Sequence, residues 1–309
     1  MPQPSSSAKP GLMDPLEDST NGSKGKLFVV GTPIGNLEDI TLRAIRTLKE
    51  VDLIACEDTR RTQQLLNHYQ IRTPTISYHE HNEMTRAPEL VIKLTEGNNI
   101  ALVSDAGMPV VSDPGFRLVH LAVRHAIPVV PVPGASAFVA ALAASGMPVD
   151  KFRFLGFLPS KKAARRQTLE EHKTATKTLV FYEAPHRVLE MLRDVRDVLG
   201  DRDVVLAREV TKVHEEFWRG TVSGLLERAK GKAIRGEITL LVGGASAPAE
   251  AHPAASLIEP EIQMLMAQRG LDERAALKAA AKARGISRSQ AYRLLQREKT
   301  KQSRSIQNL

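Results

Sequence analysis

Short apolar runs recur along the chain, each followed by a loop dense in Gly, Pro or charge and then by a stretch with its apolar residues on one helical face. Leu27–Val30, Val51–Cys56, Ile71–Tyr78, Ile100–Val103 and Ile127–Val132 read as strands. Between them, Leu42–Glu50 reads as a helix capped by Thr41 or Asp39, and Pro88–Glu96 and Phe116–His125 as two more. After Pro133 and Gly134 the Ala-rich run to Gly146, with Ser136 as cap, predicts a tightly packed helix. This βα alternation predicts an α/β domain with a largely parallel sheet.

The segment MPVDKFRF, residues 147 to 154, leads into a second domain. There Thr178–Tyr182, Val204–Ala207 and Glu237–Val242 read as strands and Val188–Leu199 as a helix. GFLPSKKAARRQ begins with a loop that carries Lys161, Lys162, Arg165 and Arg166. The Ala and Pro content of residues 245–257 marks a linker. Beyond it, Pro260–Arg269, Asp272–Arg284 and Arg288–Lys299 read as helices, the last two joined by Gly285-Ile286-Ser287 in a helix-turn-helix-like pattern with Ser287 as cap. The predicted organisation is a leader over 1–25, α/β domains over 26–147 and 148–244, the linker, and a helical unit over 258–309.

The leader is rich in Pro, Ser and Gly and has no apolar segment, so it reads as disordered rather than as a signal peptide. No apolar run reaches membrane-spanning length, and no membrane partner is expected. The single Cys56 excludes an internal disulfide and suits a reducing cytoplasm. The formal charge of +8 is concentrated: from residue 269 onward eleven Lys or Arg face three acids, which leaves the rest near neutral. A neutral body with a basic helical tail points to a nucleic-acid partner.

The candidate chemistry sits where the strands end. SDAGMPVVSDPG, residues 104 to 115, follows a buried strand and places Asp105 where parallel sheets bind ligands. Gly107 and Gly115 allow close approach and Pro109 and Pro114 stiffen the loop; the alternative reading is an ordinary strand-to-helix turn with Asp113 as the cap of the helix that follows. GTPIGNLEDIT, residues 31 to 41, has the strand, loop and helix order of a phosphate site, but lacks the Lys and Ser or Thr of a P-loop and the G-x-G-x-x-G of a dinucleotide site. His79-Glu80-His81-Asn82-Glu83 offers no evident third metal ligand, so no metal site is assigned.

Seven motifs in order, GTPIGNLEDIT, CEDTR, SDAGMPVVSDPG, PGASA, FYEAPHR, REVTKVHEEFWRG and RGEITLLV, resemble the tetrapyrrole-methylase-like superfamily. Within it, CEDTR, FYEAPHR and REVTK resemble the 16S rRNA (cytidine 2'-O)-methyltransferase family, the ribosomal RNA small subunit methyltransferase I family. The resemblance covers residues 26 to 244, and the helical tail is similar to that family's C-terminal extension. It implies a two-domain α/β fold with S-adenosyl-L-methionine in the cleft between the domains. By matching positions it implies cofactor contacts at Ile34, Ser104, Asp105, Met108, Ser136 and Ala137 of the first domain. From the second it implies Tyr182, Glu183, Ala207, Glu237, Ile238 and Thr239. It further implies methylation of the decoding-centre cytidine of 16S rRNA within the 30S subunit, by a cytoplasmic homodimer.

A ribose 2'-hydroxyl is a weak acid and needs a base or a desolvated, cation-lined pocket. The strand-end charges Glu57, Asp58, Arg60, Glu183, His186, Arg187, Arg208, Glu209, Lys212 and Glu215 are the candidates. Of these, Glu183 or Glu209 is expected as base, with Arg60, Arg187 and Arg208 binding RNA phosphate or ribose. A tetrapyrrole or protein substrate for the same fold, or a DNA-binding regulator with a ligand-sensing body, are the alternative readings. The basic tail argues against the first and the seven cleft motifs against the second.

Overall fold

The computed structural model describes residues 24–245, 258–284 and 286–306. Most of the expected leader and linker lie outside the described residues. The chain forms two compact units, divided after Ala245.

In the first unit, five strands form an all-parallel sheet in the order β3-β2-β4-β1-β5: β1 Leu27–Val30, β2 Leu53–Cys56, β3 Thr75–Ser77, β4 Ile100–Val103 and β5 Val129–Val132. The connecting helices are α1 Leu42–Glu50, α2 Thr59–His68, α3 Glu83–Thr95 and α4 Phe116–Arg124, with α5 Ala137–Ser145 after the last strand. Apolar cores cover both faces, which is why β4 is buried at every position. Thr41 caps α1 by accepting from the Ala44 N–H at 3.0 Å.

Three expectations shift here. The polar run after Cys56 is the start of α2, capped by Asp58, which accepts from the Arg60 N–H at 2.9 Å. Helix α3 begins five residues before Pro88 and carries the proline inside, because burial of Ala87, Leu90, Val91 and Leu94 outweighs one lost backbone bond. Asp113 is not the cap of α4. Gly115 takes that position at φ +138°, a backbone region that Asp avoids.

A second sheet has the order β6-β7-β10-β8-β9, with β6 Phe152–Phe157, β7 Thr178–Glu183, β8 Asp203–Arg208, β9 Glu216–Thr221 and β10 Ile238–Val242. Strand β10 enters last and lies antiparallel between β7 and β8, buried at all five positions. Helices α6 Lys162–Glu170, α7 Val188–Leu199 and α8 Val222–Arg228 complete it. Strand β9 is not among the strands expected from the sequence. It is an edge strand in which only Trp218 is buried, so its apolar signal is weak.

Helix α5 follows the first sheet in sequence but packs on the second. Ala141 and Leu142 share a core with Val180, Val205, Ala207 and Leu241. Small side chains let the helix approach that sheet closely, and the Arg219 guanidinium from β9 donates to the carbonyls of Ser145 at 3.0 Å and Ala144 at 2.6 Å, closing the helix C-terminus.

The second unit is helical: α9 Ile258–Arg269, α10 Glu273–Ala283 and α11 Arg288–Ile306 around Ile258, Ile262, Leu277, Ala280 and Leu295. The turn before α11 is a capping box. Ser287 Oγ accepts from the Gln290 N–H at 3.2 Å, while Gln290 Oε1 accepts from the Ser287 N–H at 2.9 Å.

Candidate active site

Because β1 and β4 are neighbours, their following loops meet at the carboxyl end of the sheet. Thr32 and Gly107 exchange backbone bonds of 2.9 and 3.1 Å, and Thr32 Oγ1 donates to the Ser104 carbonyl at 3.2 Å. The loop after β5 joins them at a glycine contact. A Cβ on Gly134 would stand 2.8 Å from Gly31 backbone atoms, and one on Gly31 would stand 2.7 Å from Gly134 Cα and Met108 Sδ. Beyond Met108 the chain is strained, with Val110 at φ +75° and Ser112 at φ +65°. Ser104 has no positive φ, so its side chain is accommodated without backbone strain.

This backbone wall faces a second wall made by the ends of β7 and β10 across a cavity of about 330 Å³. Ile34, Met108, Ser136, Ala137, Tyr182, Glu183, Glu237, Ile238 and Thr239 all line it. Three expected contacts do not. Asp105 points to the β2–α2 loop, where its Oδ1 accepts from the Asp58 N–H at 3.0 Å and its Oδ2 lies 3.3 Å from Arg61. Ser104 is buried beneath the loop, its hydroxyl donating to the Ala106 carbonyl at 3.3 Å. Ala207 sits in the core that holds α5.

Glu183 ends β7 at 2% exposure. Its Oε1 accepts from the Ala184 N–H at 2.7 Å and from Arg187 Nε, while its buried Oε2 has no hydrogen-bond partner among the described residues. Glu183 lines the cavity, and a carboxylate oxygen without a partner lacks the hydrogen bonds that buried charge requires. Arg187 donates its other nitrogen to the Leu158 carbonyl at 3.2 Å, so it positions Glu183 rather than facing the cavity.

The remaining expected residues are engaged elsewhere. Glu209, at φ +51°, accepts from the Glu237 N–H at 2.8 Å and from Lys212 Nζ at 3.0 Å. Burial raises its pKa, but these bonds prevail and hold its carboxyl below the usual range, so it locks the loop before β10. Arg208 pairs with Glu216 at 3.2 Å on the neighbouring β9. Arg60 is 88% exposed and bound to Asp58 at 2.8 Å, and that bond lowers the Asp58 carboxyl to about 2. His186 is exposed.

Among the cavity residues that the expected contacts do not include, Asp113 and Phe157 carry the most chemistry. Asp113 lines the cavity, and burial, reinforced by Glu57 and Asp105, pushes its carboxyl up to about 6. Phe157 lines it from the end of β6, and Gly156 within an apolar run was the available signal of an irregular strand. Tyr182 spans the cleft, its hydroxyl accepting from the Phe138 N–H at 3.3 Å, and burial raises its pKa. Among the described residues no cluster of three or more His, Cys, Asp or Glu forms a metal site, and no helix is long and apolar enough to cross a membrane.

The walls suit S-adenosyl-L-methionine. Ile34, Met108, Val210 and Ile238 give apolar surface, and the Gly31–Gly134 contact beside them leaves no room for a Cβ.

Comparison with known proteins decides the family. Residues 26–226 match the model of Tetrapyrrole (Corrin/Porphyrin) Methylases. Ribosomal RNA small subunit methyltransferase I of Halalkalibacterium halodurans is 55% identical over 221 residues, 72% of this chain and 76% of that protein. The chain belongs to the ribosomal RNA small subunit methyltransferase I family. The protein of that name from Thermotoga maritima is 52% identical over 71% of this chain and 99% of its own length, and that from Pseudomonas aeruginosa is 45% identical over 89% and 99%. For the fold, the methyltransferase CobJ superposes at TM-score 0.54 with 21% identity, covering 72% of this chain and 95% of that one. Family membership makes the chain an rRNA methyltransferase, with S-adenosyl-L-methionine as its cofactor.

Proposed function

We propose that this enzyme methylates the ribose 2'-oxygen of the decoding-centre cytidine of 16S rRNA, acting as a cytoplasmic homodimer on the 30S subunit. The observation that carries the reading is Glu183, a residue of the cavity wall whose buried Oε2 has no hydrogen-bond partner among the described residues. When bound, the cofactor supplies an electrophilic methyl on a sulfonium. The chain's own residues must align the ribose hydroxyl, receive its proton and exclude water. Glu183 Oε2 accepts the hydroxyl hydrogen bond and takes up the proton, while Arg187 and the Ala184 N–H hold Oε1 and so fix the carboxylate plane. Ile34, Met108, Ser136, Ala137, Tyr182 and Ile238 hold the cofactor.

A 2'-oxygen reaches an enclosed cofactor only if the nucleotide is splayed from its stack. Exposed Arg60 on the α/β unit and exposed Arg274, Arg288 and Arg293 on the helical unit engage RNA phosphate, so binding weakens steeply with salt. The deciding test is transfer of labelled methyl to 30S subunits lacking the modification, with the product mapped by mass spectrometry. We expect 2'-O-methylcytidine in the decoding-centre fragment, lost in Glu183→Gln while the cofactor still binds. Cofactor binding by the wild type without transfer to 30S subunits or 16S RNA would overturn the substrate.

A further inference from the structure

Aromatic residues are 4% of this chain, yet four of its eight Phe and one of its four Tyr form a single cluster at the cavity. Phe138 and Phe154 stack at 4.4 Å, and Tyr182 lies 5.1 Å from Phe154 and 5.6 Å from Phe157. Phe157 differs from its neighbours in being 55% exposed while lining the cavity, a costly place for a large apolar ring.

A backbone irregularity puts it there. Phe154 pairs with Val180 and Phe157 with Tyr182, so three steps along β6 match two along β7, with Gly156 at φ +61° in the bulge. In a regular strand, side chains alternate between faces, and residue 157 would project opposite to Phe152 and Phe154. The extra residue returns Phe157 to their face, the one that meets the cavity. The bulge is also fixed in place. A Cβ at Gly156 would stand 3.0 Å from Ser112 Oγ of the strained loop, and the Leu158 carbonyl is bonded by the Arg187 that holds Glu183. Two exposed lysines, Lys161 and Lys162, follow directly.

We propose that Phe157 is the stacking platform for the splayed nucleobase of the substrate, with Lys161 and Lys162 on the adjoining phosphates. This rests on the RNA reading above. An aromatic face held at the rim by a conformationally fixed bulge suits a flat base, and stacking tolerates any base because each has a π-face. Placement beside Tyr182 and Glu183 means that the ring locating the base and the carboxylate meeting the ribose belong to one rigid assembly. Ile34, Val210 and Ile238 line the same cavity but are buried, unlike Phe157, and supply apolar surface for the cofactor.

The test compares wild type, Phe157→Ala and Phe157→Trp in methyl transfer to unmodified 30S subunits, together with calorimetric titration of S-adenosyl-L-methionine. Phe157→Ala is expected to lower kcat/KM for 30S by about 10- to 100-fold, chiefly through KM. Cofactor Kd should stay within about twofold, and Phe157→Trp should restore activity. Unchanged kcat/KM in Phe157→Ala would overturn the platform, and so would a matching loss of cofactor affinity, which would assign the ring to the cofactor. A folding defect is recognised by a lowered melting temperature, in which case Phe157→Leu, which keeps apolar volume but no π-face, decides by the same two readouts. If wild type binds cofactor but transfers no methyl to RNA, the RNA reading fails and the platform with it, an outcome distinct from an active wild type beside an unaffected Phe157→Ala.

Discussion

The two walls of the cavity are made of different material. The first is backbone: the Thr32–Gly107 bridge, the Gly31–Gly134 contact and the positive-φ residues Val110 and Ser112. The second is side chain: Glu183 braced by Arg187, Tyr182 reaching across to Phe138, and Phe157 turned inward by a bulge. The backbone wall keeps its shape through glycine contacts and fails when a Cβ is added to one of them. A side-chain wall fails when an end group is changed, even if the shape survives.

The largest effect should come from changing one atom on the side-chain wall. Glu183→Gln is nearly isosteric but cannot take up a proton, and kcat should fall by about 10²- to 10⁴-fold with the fold intact, measured in single-turnover methyl transfer. Adding one carbon to the backbone wall comes next. Gly134→Ala places a Cβ 2.8 Å from the Gly31 backbone, which cannot yield without displacing β1, so about 2–3 kcal/mol of stability should be lost in urea denaturation.

Asp113 sharpens the contrast, since it is an acid placed on the backbone wall. Its folded pKa of about 6 lies above the ordinary value of 3.8. In that window the folded protein holds a proton that the unfolded chain has released. The corresponding stability is present at low pH and is lost as pH rises through about 6. Asp113→Asn should therefore be more stable than wild type at pH 7.5 by about 1 kcal/mol, a figure discounted for partial solvent screening. The difference should vanish toward pH 4, and a melting series across pH would show it. The smallest effect belongs to Arg60→Ala. Its ion pair with Asp58 is solvent-exposed, so the melting temperature should not change, while the salt dependence of RNA binding should become shallower.

The backbone wall was also the more legible in sequence. Gly and Pro at strand ends announce special backbone geometry wherever they fall, so the loops after β1, β4 and β5 could be placed from residue types alone. The capping residues Thr41 and Ser287 were readable for the same reason: each acts on its own neighbours in the chain. The side-chain wall depends in part on partners distant in sequence, as where Tyr182 meets Phe138 and Arg187 meets the Leu158 carbonyl. Nothing near Glu209 in the sequence says that the Glu237 N–H will occupy its carboxylate, and nothing near Glu183 says that one oxygen will be left bare. Asp113 looked like a cap because a cap is a local role, whereas its carboxyl is governed by burial and by Glu57 from the loop after β2, with Asp105 of its own loop adding to them. The place of β10 between β7 and β8 was similarly hidden, since only tertiary pairing selects a strand's neighbours.

Helix α5 carries a consequence for how this body could have arisen or be re-engineered. Its residues come from the first half of the chain, yet its apolar surface is spent on the second sheet, and the Arg219 guanidinium seals its end from β9. A cut after residue 146 would leave one fragment with an unburied apolar helix and the other with an uncovered sheet. The α/β unit is therefore a single cooperative folding partner for its own two sheets, and recombining halves between relatives would succeed only where the helix travels with the sheet it covers.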